Sequence, residues 1–134
     1  MVFEGVNDIG TYVPVDNIST IADDLIAGYQ QIITQVHAAG VPVFGVTITP
    51  FGGSSYDTPL NQQIRQEVND WIRQSVSRQD VGFDAVADFD IVLRDPTNLT
   101  RLNPDYNSGD GLHPNTKGYQ ALADTFPVDI FLTY

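Results

Sequence analysis

The fold is decided by the stretch Val41-Pro42-Val43-Phe44-Gly45-Val46-Thr47-Ile48. The stretch is rich in β-branched residues and almost continuously apolar, which is the pattern of a strand covered on both faces of a sheet. Pro42 has no backbone N–H, so it is expected near the start of the strand rather than inside its ladder. The segments on either side of this strand carry helical patterns.

Two amphipathic helices flank the strand. The first has a stripe of apolar residues that ends at Gly40, a natural position for a helix stop: Ile21, Leu25, Tyr29, Ile32, Val36. The second begins at Pro59, a residue favoured at the first helical position, and its stripe is Leu60, Ile64, Val68, Trp71, Ile72, Val76. Both stripes indicate helices that pack one face against a sheet.

The remaining elements complete an alternating order. We expect residues 1–4 to be the end of a strand, residues 5–12 a loop, residues 85–89 a third strand and residues 93–114 a long irregular stretch. Asn115 can cap a last helix. The order of strand, helix, strand, helix, strand, loop and helix predicts a parallel sheet with right-handed crossovers, in a single domain over residues 1–134.

Composition narrows the range of partners. The 134 residues carry 17 acidic against 6 basic side chains, a net charge of −11, so nucleic acid and anionic membranes should be repelled and are excluded as partners. No apolar run reaches the roughly 20 residues of a membrane span. There are no cysteines, which excludes disulfides, thiolate metal sites and a cysteine nucleophile.

Two short motifs have side chains suited to ester chemistry. In Asp110-Gly111-Leu112-His113-Pro114 the carboxylate can hold one imidazole nitrogen of His113, which leaves the other free to accept a proton. In Gly5-Val6-Asn7-Asp8 the amide of Asn7 can donate to a developing oxyanion, and Asp8 has a supporting role. Both motifs follow strands or lie beyond the last one, and the carboxyl ends of parallel strands meet at one edge of the sheet.

Each motif also has a purely structural interpretation. His113 could be an ordinary loop histidine before a helix start, and Asn7 could be a turn-forming residue. His37, near a helix C-terminus where a cation is favoured, is interpreted as structural. Four aspartates could form a Ca²⁺ or Mg²⁺ site, but solvated loop carboxylates are the better interpretation because no loop has a known calcium spacing: Asp88, Asp90, Asp95, Asp105. We therefore expect no metal and no cofactor.

A serine nucleophile is the part that the sequence does not supply. Ser54 and Ser55 follow the second strand, at the correct end of the sheet, and Ser108 lies in the loop of His113. None of them is in the Gly-x-Ser-x-Gly context that exposes a nucleophile on a sharp turn. A metal-dependent phosphoesterase would not need the serine, but with one usable histidine the chain falls short of the ligands such enzymes require.

The two motifs resemble those of the SGNH or GDSL-type hydrolase family, whose members cleave acyl esters. The family has four blocks, of which the third is Gly-x-Asn-Asp, here Gly5–Asp8, and the last is Asp-x-x-His-Pro, here Asp110–Pro114. The resemblance covers nearly the whole chain. It implies a three-layer α/β fold with a flavodoxin-like parallel sheet, His113 and Asp110 as members of the triad, Asn7 as an oxyanion donor, and Gly5 and Asp8 near the substrate.

The resemblance also implies that the family's first two blocks are missing. The Gly-Asp-Ser block with the nucleophile and the second block, a glycine that donates to the oxyanion, would both precede Met1. We therefore expect a truncated domain that lacks its first strands and is inactive alone. The Val2–Glu4 strand edge would be open to a complementing fragment or to a second copy of the chain.

The predicted substrate is a small-molecule or carbohydrate ester, with acetyl esters and simple lipids both possible. The alternative is a non-catalytic remnant or a carbohydrate-binding module that kept the same loops. Two Asn-x-Ser/Thr sequons, at Asn17 and Asn98, are a weak indication of an extracellular protein.

Overall fold

The structure is a computed structural model that describes residues 1–12, 19–76, 78, 81–126 and 128. Within this part of the chain the helices and strands follow in the order α1 (Val6–Thr11), α2 (Ser19–Ala38), β1 (Phe44–Val46), α3 (Pro59–Ser75), β2 (Ala85–Ala87), α4 (Phe89–Leu93), β3 (Arg94–Asp95), β4 (Asn98–Leu102) and α5 (Thr116–Thr125).

Strand β1 is the centre of a small parallel arrangement. It pairs with β2 in parallel, with Phe44 opposite Ala85 and Val46 opposite Ala87. On its other side Val2 forms a parallel bridge with Gly45, in which Val2 N donates to Phe44 O (2.8 Å) and Val46 N donates to Val2 O (3.1 Å). All three residues of β1 are buried, as a strand covered on both faces requires. The three strand positions predicted from the sequence are therefore present, although the strands are short.

Residues 5–12 were expected to be a loop, and this prediction was wrong, because most of them form helix α1. Gly5 adopts a left-handed conformation with φ of 114°, which glycine tolerates and which turns the chain directly into helix α1. Ile9 of this helix is fully buried. A six-residue helix has little stability of its own, so packing of Ile9 explains why the helix forms where propensity predicts a loop.

The stretch of residues 93–114, expected to be irregular, contains an antiparallel ribbon. Strands β3 and β4 pair with Arg94 opposite Leu102 and Asp95 opposite Asn98. The described strands thus form two small two-stranded sheets, one parallel and one antiparallel. The fold is α/β, and the larger three-layer parallel sheet stays a prediction.

The helix ends were predicted correctly at two positions. Pro59 is the first residue of α3, and the side chain of Thr58 caps the helix by accepting from Asn61 N (3.1 Å). Asn115 caps α5 by accepting from Gly118 N (3.0 Å). Each cap satisfies a backbone donor that the first helical turn leaves unpaired.

The buried apolar side chains form two clusters. The main core joins α1, α2 and α3 to β1, and Tyr29, Trp71 and Phe83 make ring contacts at its centre. The second core lies between β1, β2, α4 and α5 and includes Phe89 and Leu122. Among the described helices, none has the length and apolar character needed to cross a membrane.

Candidate active site

The loop before α5 brings Asp110 and His113 together. Nδ1 of His113 lies 2.6 Å from Oδ2 of Asp110. Because an ionised carboxylate can only accept, the proton of this hydrogen bond is on Nδ1, and Nε2 of the neutral ring is left as an acceptor. The two side chains are 64% and 50% exposed. The predicted contact is thus present, with Nε2 accessible to an incoming hydroxyl.

Asp110 is held by further donors. Its Oδ1 accepts from the backbone N–H groups of Leu112 and His113, both at 2.8 Å, and from the hydroxyl of Ser108 at 3.1 Å. The hydrogen bond from the His113 ring, followed by those from the two backbone N–H groups, lowers the pKa of Asp110 below its usual value. The carboxylate therefore stays ionised at any pH at which His113 could act as a base.

The shape of this loop is set by hydrogen bonds within the loop, in which backbone N–H groups donate to the Asn107 side chain and to a backbone carbonyl. Oδ1 of Asn107 accepts from Gly109 N (2.9 Å) and Gly111 N (3.1 Å), and Ser108 N donates to His113 O (3.0 Å). Gly109 and Gly111 both have positive φ values, 113° and 75°, which glycine adopts without the strain that a side chain would add. The motif folds locally, and this explains why its geometry could be predicted from spacing alone.

Asn7 lies in the first turns of α1 with its side chain exposed. The hydroxyl of Tyr56 donates to Oδ1 of Asn7 at 3.3 Å, and the Tyr56 ring lies so close to Gly10 that a Cβ there would be 2.1 Å from the ring. Within the described part of the chain, Nδ2 of Asn7 forms no hydrogen bond. The amide is therefore oriented with its donor available.

One loop connects the two motifs. It comprises residues 51–57 and follows β1, and its Tyr56 contacts Asn7 as described. At its other end it packs on the histidine loop, since a Cβ at Gly111 would lie 2.9 Å from Ser54 N and 3.0 Å from Gly53 C. The 51–57 loop thus contacts both Asn7 and the loop that carries His113.

Gly5 and Asp8 have different surroundings from Asn7. Gly5 is buried, and a Cβ there would lie 2.8 Å from the Tyr29 hydroxyl, so its contribution is to backbone conformation. Asp8 lines a cleft of about 600 Å³ between α1 and α2 together with Glu4 and Asp24. Burial, followed by the charges of Asp8 and Glu4, raises the pKa of Tyr29 in this cleft. The supporting role predicted for Asp8 stays a prediction.

Three of the described serines have side-chain hydrogen bonds to groups other than the His113 imidazole. Ser54 Oγ accepts from Tyr56 N (3.1 Å), and Ser108 donates to Asp110. Ser75 is fully buried and donates to Ile72 O (2.6 Å), while Ser55 is exposed. In the described part of the chain no serine is hydrogen-bonded to Nε2 of His113.

Two of the four aspartates considered as metal ligands are engaged in ion pairs. Asp88 and Asp90 pair with Arg73 (2.7 Å each), and Asp90 also pairs with Arg65 (2.7 Å). Asp90 is only 5% exposed, so its interpretation as a solvated carboxylate was wrong. Over the described residues no group of three potential metal ligands occurs.

The other histidine has a structural contact. His37 Nε2 lies 2.9 Å from Oδ2 of Asp84, which also accepts from Val43 N at 2.6 Å. Burial opposes ionisation of Asp84, but the hydrogen bonds from Val43 and His37 outweigh it and lower the pKa of this carboxyl. His37 therefore ties the end of α2 to β1 and β2, in line with the structural interpretation.

Sequence reasoning missed the residues that support the site. Tyr56 and Asp57 were assigned only to a loop after a strand, and Arg65 only to a helix. Tyr56 contacts a residue 49 positions away in the sequence, and Arg65 contacts one 25 positions away. Contacts over such separations cannot be predicted from local spacing. The one available signal was an arginine inside an otherwise apolar helical stripe, next to Ile64.

The chain is similar to known proteins in sequence and in fold. The model of the GDSL-like lipase/acylhydrolase family matches residues 1–121. A solved structure of a GDSL-like lipase from Bacteroides thetaiotaomicron superimposes with a TM-score of 0.75 at 18% identity, covering 97% of this chain and 60% of the lipase. The chain thus spans about three-fifths of that protein's length, and no curated protein matches its sequence. The match over residues 1–121 shows that the chain belongs to the GDSL-like lipase/acylhydrolase family.

Proposed function

We propose that this chain supplies the base and one oxyanion donor of a serine ester hydrolase. The observation that carries the proposal is the 2.6 Å hydrogen bond between Asp110 and Nδ1 of His113, which leaves Nε2 exposed. The same pairing of carboxylate and imidazole operates in serine hydrolases on unrelated folds. Membership of a family of lipases and acylhydrolases favours an acyl ester as the substrate.

In this proposal His113 Nε2 removes the proton from a serine hydroxyl as its oxygen attacks the ester carbonyl. The imidazolium that forms is stabilised by the Asp110 carboxylate, and it then protonates the departing alcohol. Water repeats the sequence on the acyl-enzyme, so that one ester and one water give one acid and one alcohol. Asn7 Nδ2 donates to the oxyanion, a contribution of about 10²–10³ in rate for a single donor.

The nucleophilic serine is proposed to come from a segment outside this chain. None of the described serines is hydrogen-bonded to His113 Nε2, and the chain spans only 60% of the lipase it resembles. The chain alone is accordingly expected to be inactive towards esters. Its substrate is proposed to be a small-molecule or carbohydrate ester, with acetyl esters as the first to test.

The strand edge at Val2–Glu4 is the proposed attachment point for this segment or for a second copy of the chain. Among the described residues no strand pairs with the side of Val2 that faces away from β1. Met1 is 67% and Phe3 38% exposed. An apolar cavity of about 320 Å³ lies beside this edge, lined by Met1, Phe89, Leu122, Ala123 and Phe126. An exposed apolar strand edge is a template for further pairing.

An extracellular location is a further proposal, and it rests on the two sequons alone. Asn98 is exposed in β4, where a glycan could be attached. Asn17 lies outside the described residues. Mass analysis of the protein secreted from a eukaryotic host would detect a glycan at these sequons. A mass without a glycan would leave the proposed extracellular location unsupported.

The test of the proposed function is intact-mass analysis after treatment with a fluorophosphonate, combined with hydrolysis of 4-nitrophenyl acetate. The chain alone should show neither an adduct nor turnover above a His113→Ala control. A stoichiometric adduct that disappears in His113→Ala would show a nucleophile within the chain, and Ser54→Ala and Ser55→Ala would then identify it. That outcome would retain the hydrolase and contradict the need for a further segment.

A binding measurement separates the hydrolase from the binding module. If an acetylated oligosaccharide binds without turnover and binds equally to the Asn7→Ala and His113→Ala variants, the two residues have no role at the ligand. This result would contradict the hydrolase and favour a carbohydrate-binding module.

A further inference from the structure

A short turn of residues 52–54 lies against the loop that carries His113. A Cβ at Gly111 would be 2.9 Å from Ser54 N and 3.2 Å from Gly52 O, so only a glycine lets the two backbones come this close. On its other side the turn is fixed by Gly52 N, which donates to Thr100 O (2.6 Å). The position of this turn therefore limits where the histidine loop can lie.

Asp57 holds the turn from the opposite direction. Its Oδ2 accepts from Gly53 N at 2.7 Å, and its Oδ1 accepts from Nε2 of Gln62 at 3.0 Å. Asp57 is exposed, whereas Gln62 is only 7% exposed. One carboxylate thus connects a surface turn to a buried side chain of α3.

Gln62 in turn is held by a buried charge. Its Oε1 accepts from Nε of Arg65 (3.0 Å), and the same guanidinium donates to Asp90 Oδ1 (2.7 Å) and to Leu99 O (3.3 Å). Arg65 is 2% exposed, and its guanidinium lies 5.8 Å from the centre of the Phe51 ring. A buried guanidinium with all three nitrogens engaged has little freedom to move, because each lost hydrogen bond would leave an unsatisfied buried donor.

We propose that Asp57 is a positioning residue for His113. Together with Gln62 and Arg65, it fixes the turn of residues 52–54, and the turn sets the place of the loop that carries the imidazole. The proposal rests on the proposed role of His113 as the base. Asp57 does not touch His113, so its effect is transmitted only through the contact between the turn and Gly111.

The test uses the whole chain and needs no ester turnover. The protein has only two histidines, so NMR can follow the imidazoles of His113 and His37 separately. In Asp57→Ala we expect shifted His113 imidazole signals, and amide exchange at Leu112 and His113 faster by about five- to tenfold, the equivalent of one lost hydrogen bond. The imidazole signals of His37 should be unchanged.

Two further variants make the result specific. Asp57→Asn keeps an acceptor for Gly53 N and should restore most of the protection. Asp95→Ala removes a matched carboxylate that accepts from Thr97 N (2.7 Å) in a different turn, and it should leave His113 unchanged.

Two results would overturn the proposal. One is faster exchange at Gly53 with no change at Leu112 or His113, which would show that the turn moves independently. The other is an equal disturbance of His37, which would show a general loosening. Neither result depends on whether the protein hydrolyses esters, so a failure of this inference and a failure of the proposed function can be told apart.

Discussion

At the scale of single residues, Asp110 has the most concentrated set of contacts in the site. Its two oxygens accept from three residues within the same loop, Ser108, Leu112 and His113. Because all these contacts lie within the six residues 108–113, the pair could be predicted from the spacing of the motif. Their combined effect is on ionisation, and it can be measured as a dependence of stability on pH.

We expect the stability difference between the wild-type chain and Asp110→Asn to be pH-dependent. The pKa of Asp110 is lower in the folded than in the unfolded chain, so the ionised carboxylate stabilises the fold fully above the ordinary aspartate pKa of about 3.9. The contribution is lost as the pH falls from there through the lower folded value. Urea unfolding between about pH 2 and 6 should show the two curves beginning to converge below about pH 4. Parallel curves would contradict this, and Asp70→Asn serves as the control.

Gly111 allows a second residue-scale prediction with a close internal control. Gly111 and Gly40 have similar φ values, 75° and 70°, but a Cβ at Gly40 would meet nothing within 4 Å. Gly40→Ala should therefore cost only the backbone strain, about 1–2 kcal/mol. Gly111→Ala should cost about 1–3 kcal/mol more, since its Cβ would press on the backbone of Ser54. Thermal or urea unfolding measures both, and equal costs would show that the two loops are not in tight contact.

At the scale of the elements, a network of arginines and aspartates joins α3 to the segment after β2. Arg65 and Arg73 both form ion pairs with Asp90, and Arg73 also pairs with Asp88. The hydroxyl of Thr47, the residue directly after β1, donates to Asp88 (2.9 Å). Two positive and two negative side chains compensate each other. Burial opposes ionisation of Asp88, but the hydrogen bonds from Arg73, Ile91 and Thr47, together with the charge of Arg73, outweigh it and lower the pKa of this carboxyl.

Replacing Arg65, the buried arginine of this network, should lower the stability of the protein strongly if Asp90 is kept. Arg65→Met leaves the Asp90 carboxylate with less compensation at 5% exposure, and the unfolding free energy should fall by about 3–5 kcal/mol, towards the lower end because Arg73 remains. The double variant Arg65→Met, Asp90→Leu should recover part of this loss. If the double variant is less stable than the single one, the carboxylate is not the source of the cost.

The elements that were predicted correctly are those whose signal is local. Strand β1 has an apolar run, and α3 and α5 have caps and periodic stripes. Helix α1 was missed because its stability comes from burial of Ile9 and from the Tyr56 ring on Gly10. The ribbon of β3 and β4 was missed because its two strands are short and mostly polar. Whether such strands pair depends on their packing against other segments.

The candidate site likewise has one part that depends on local sequence and another that depends on long-range packing. The contact between Asp110 and His113 spans three residues, and the sequence predicts it. The arrangement of Asn7 relative to His113 depends on the 51–57 loop, whose contacts with both motifs join residues far apart in the chain. A sequence pattern identifies which side chains are suited to the chemistry, but the distances between them follow from packing.

At the scale of the whole molecule, the Val2–Glu4 edge gives a prediction about association. The N–H and C=O of Val2 both face β1, so strand geometry directs those of Phe3 to the open edge. If copies or fragments pair there, Phe3→Pro should weaken association by about tenfold or more through loss of one buried donor. Phe3→Ala keeps the N–H and should retain the pairing, although its ring contact with Phe89 is lost. Sedimentation velocity measures the association of both variants and of the wild-type chain. If the wild-type chain is monomeric at all concentrations, pairing between two copies of the chain is excluded.

The presence of two separate cores has a spectroscopic consequence. Trp71, the single tryptophan, lies in the main core, with ring centroids 6.0 Å from both Tyr29 and Phe83. The second core, around Phe89 and Leu122, contains no tryptophan. Indole fluorescence therefore reports on the packing of α2 and α3, whereas circular dichroism also senses α5. If the two signals change at different denaturant concentrations, the second core with α5 can open while the part around Trp71 stays folded.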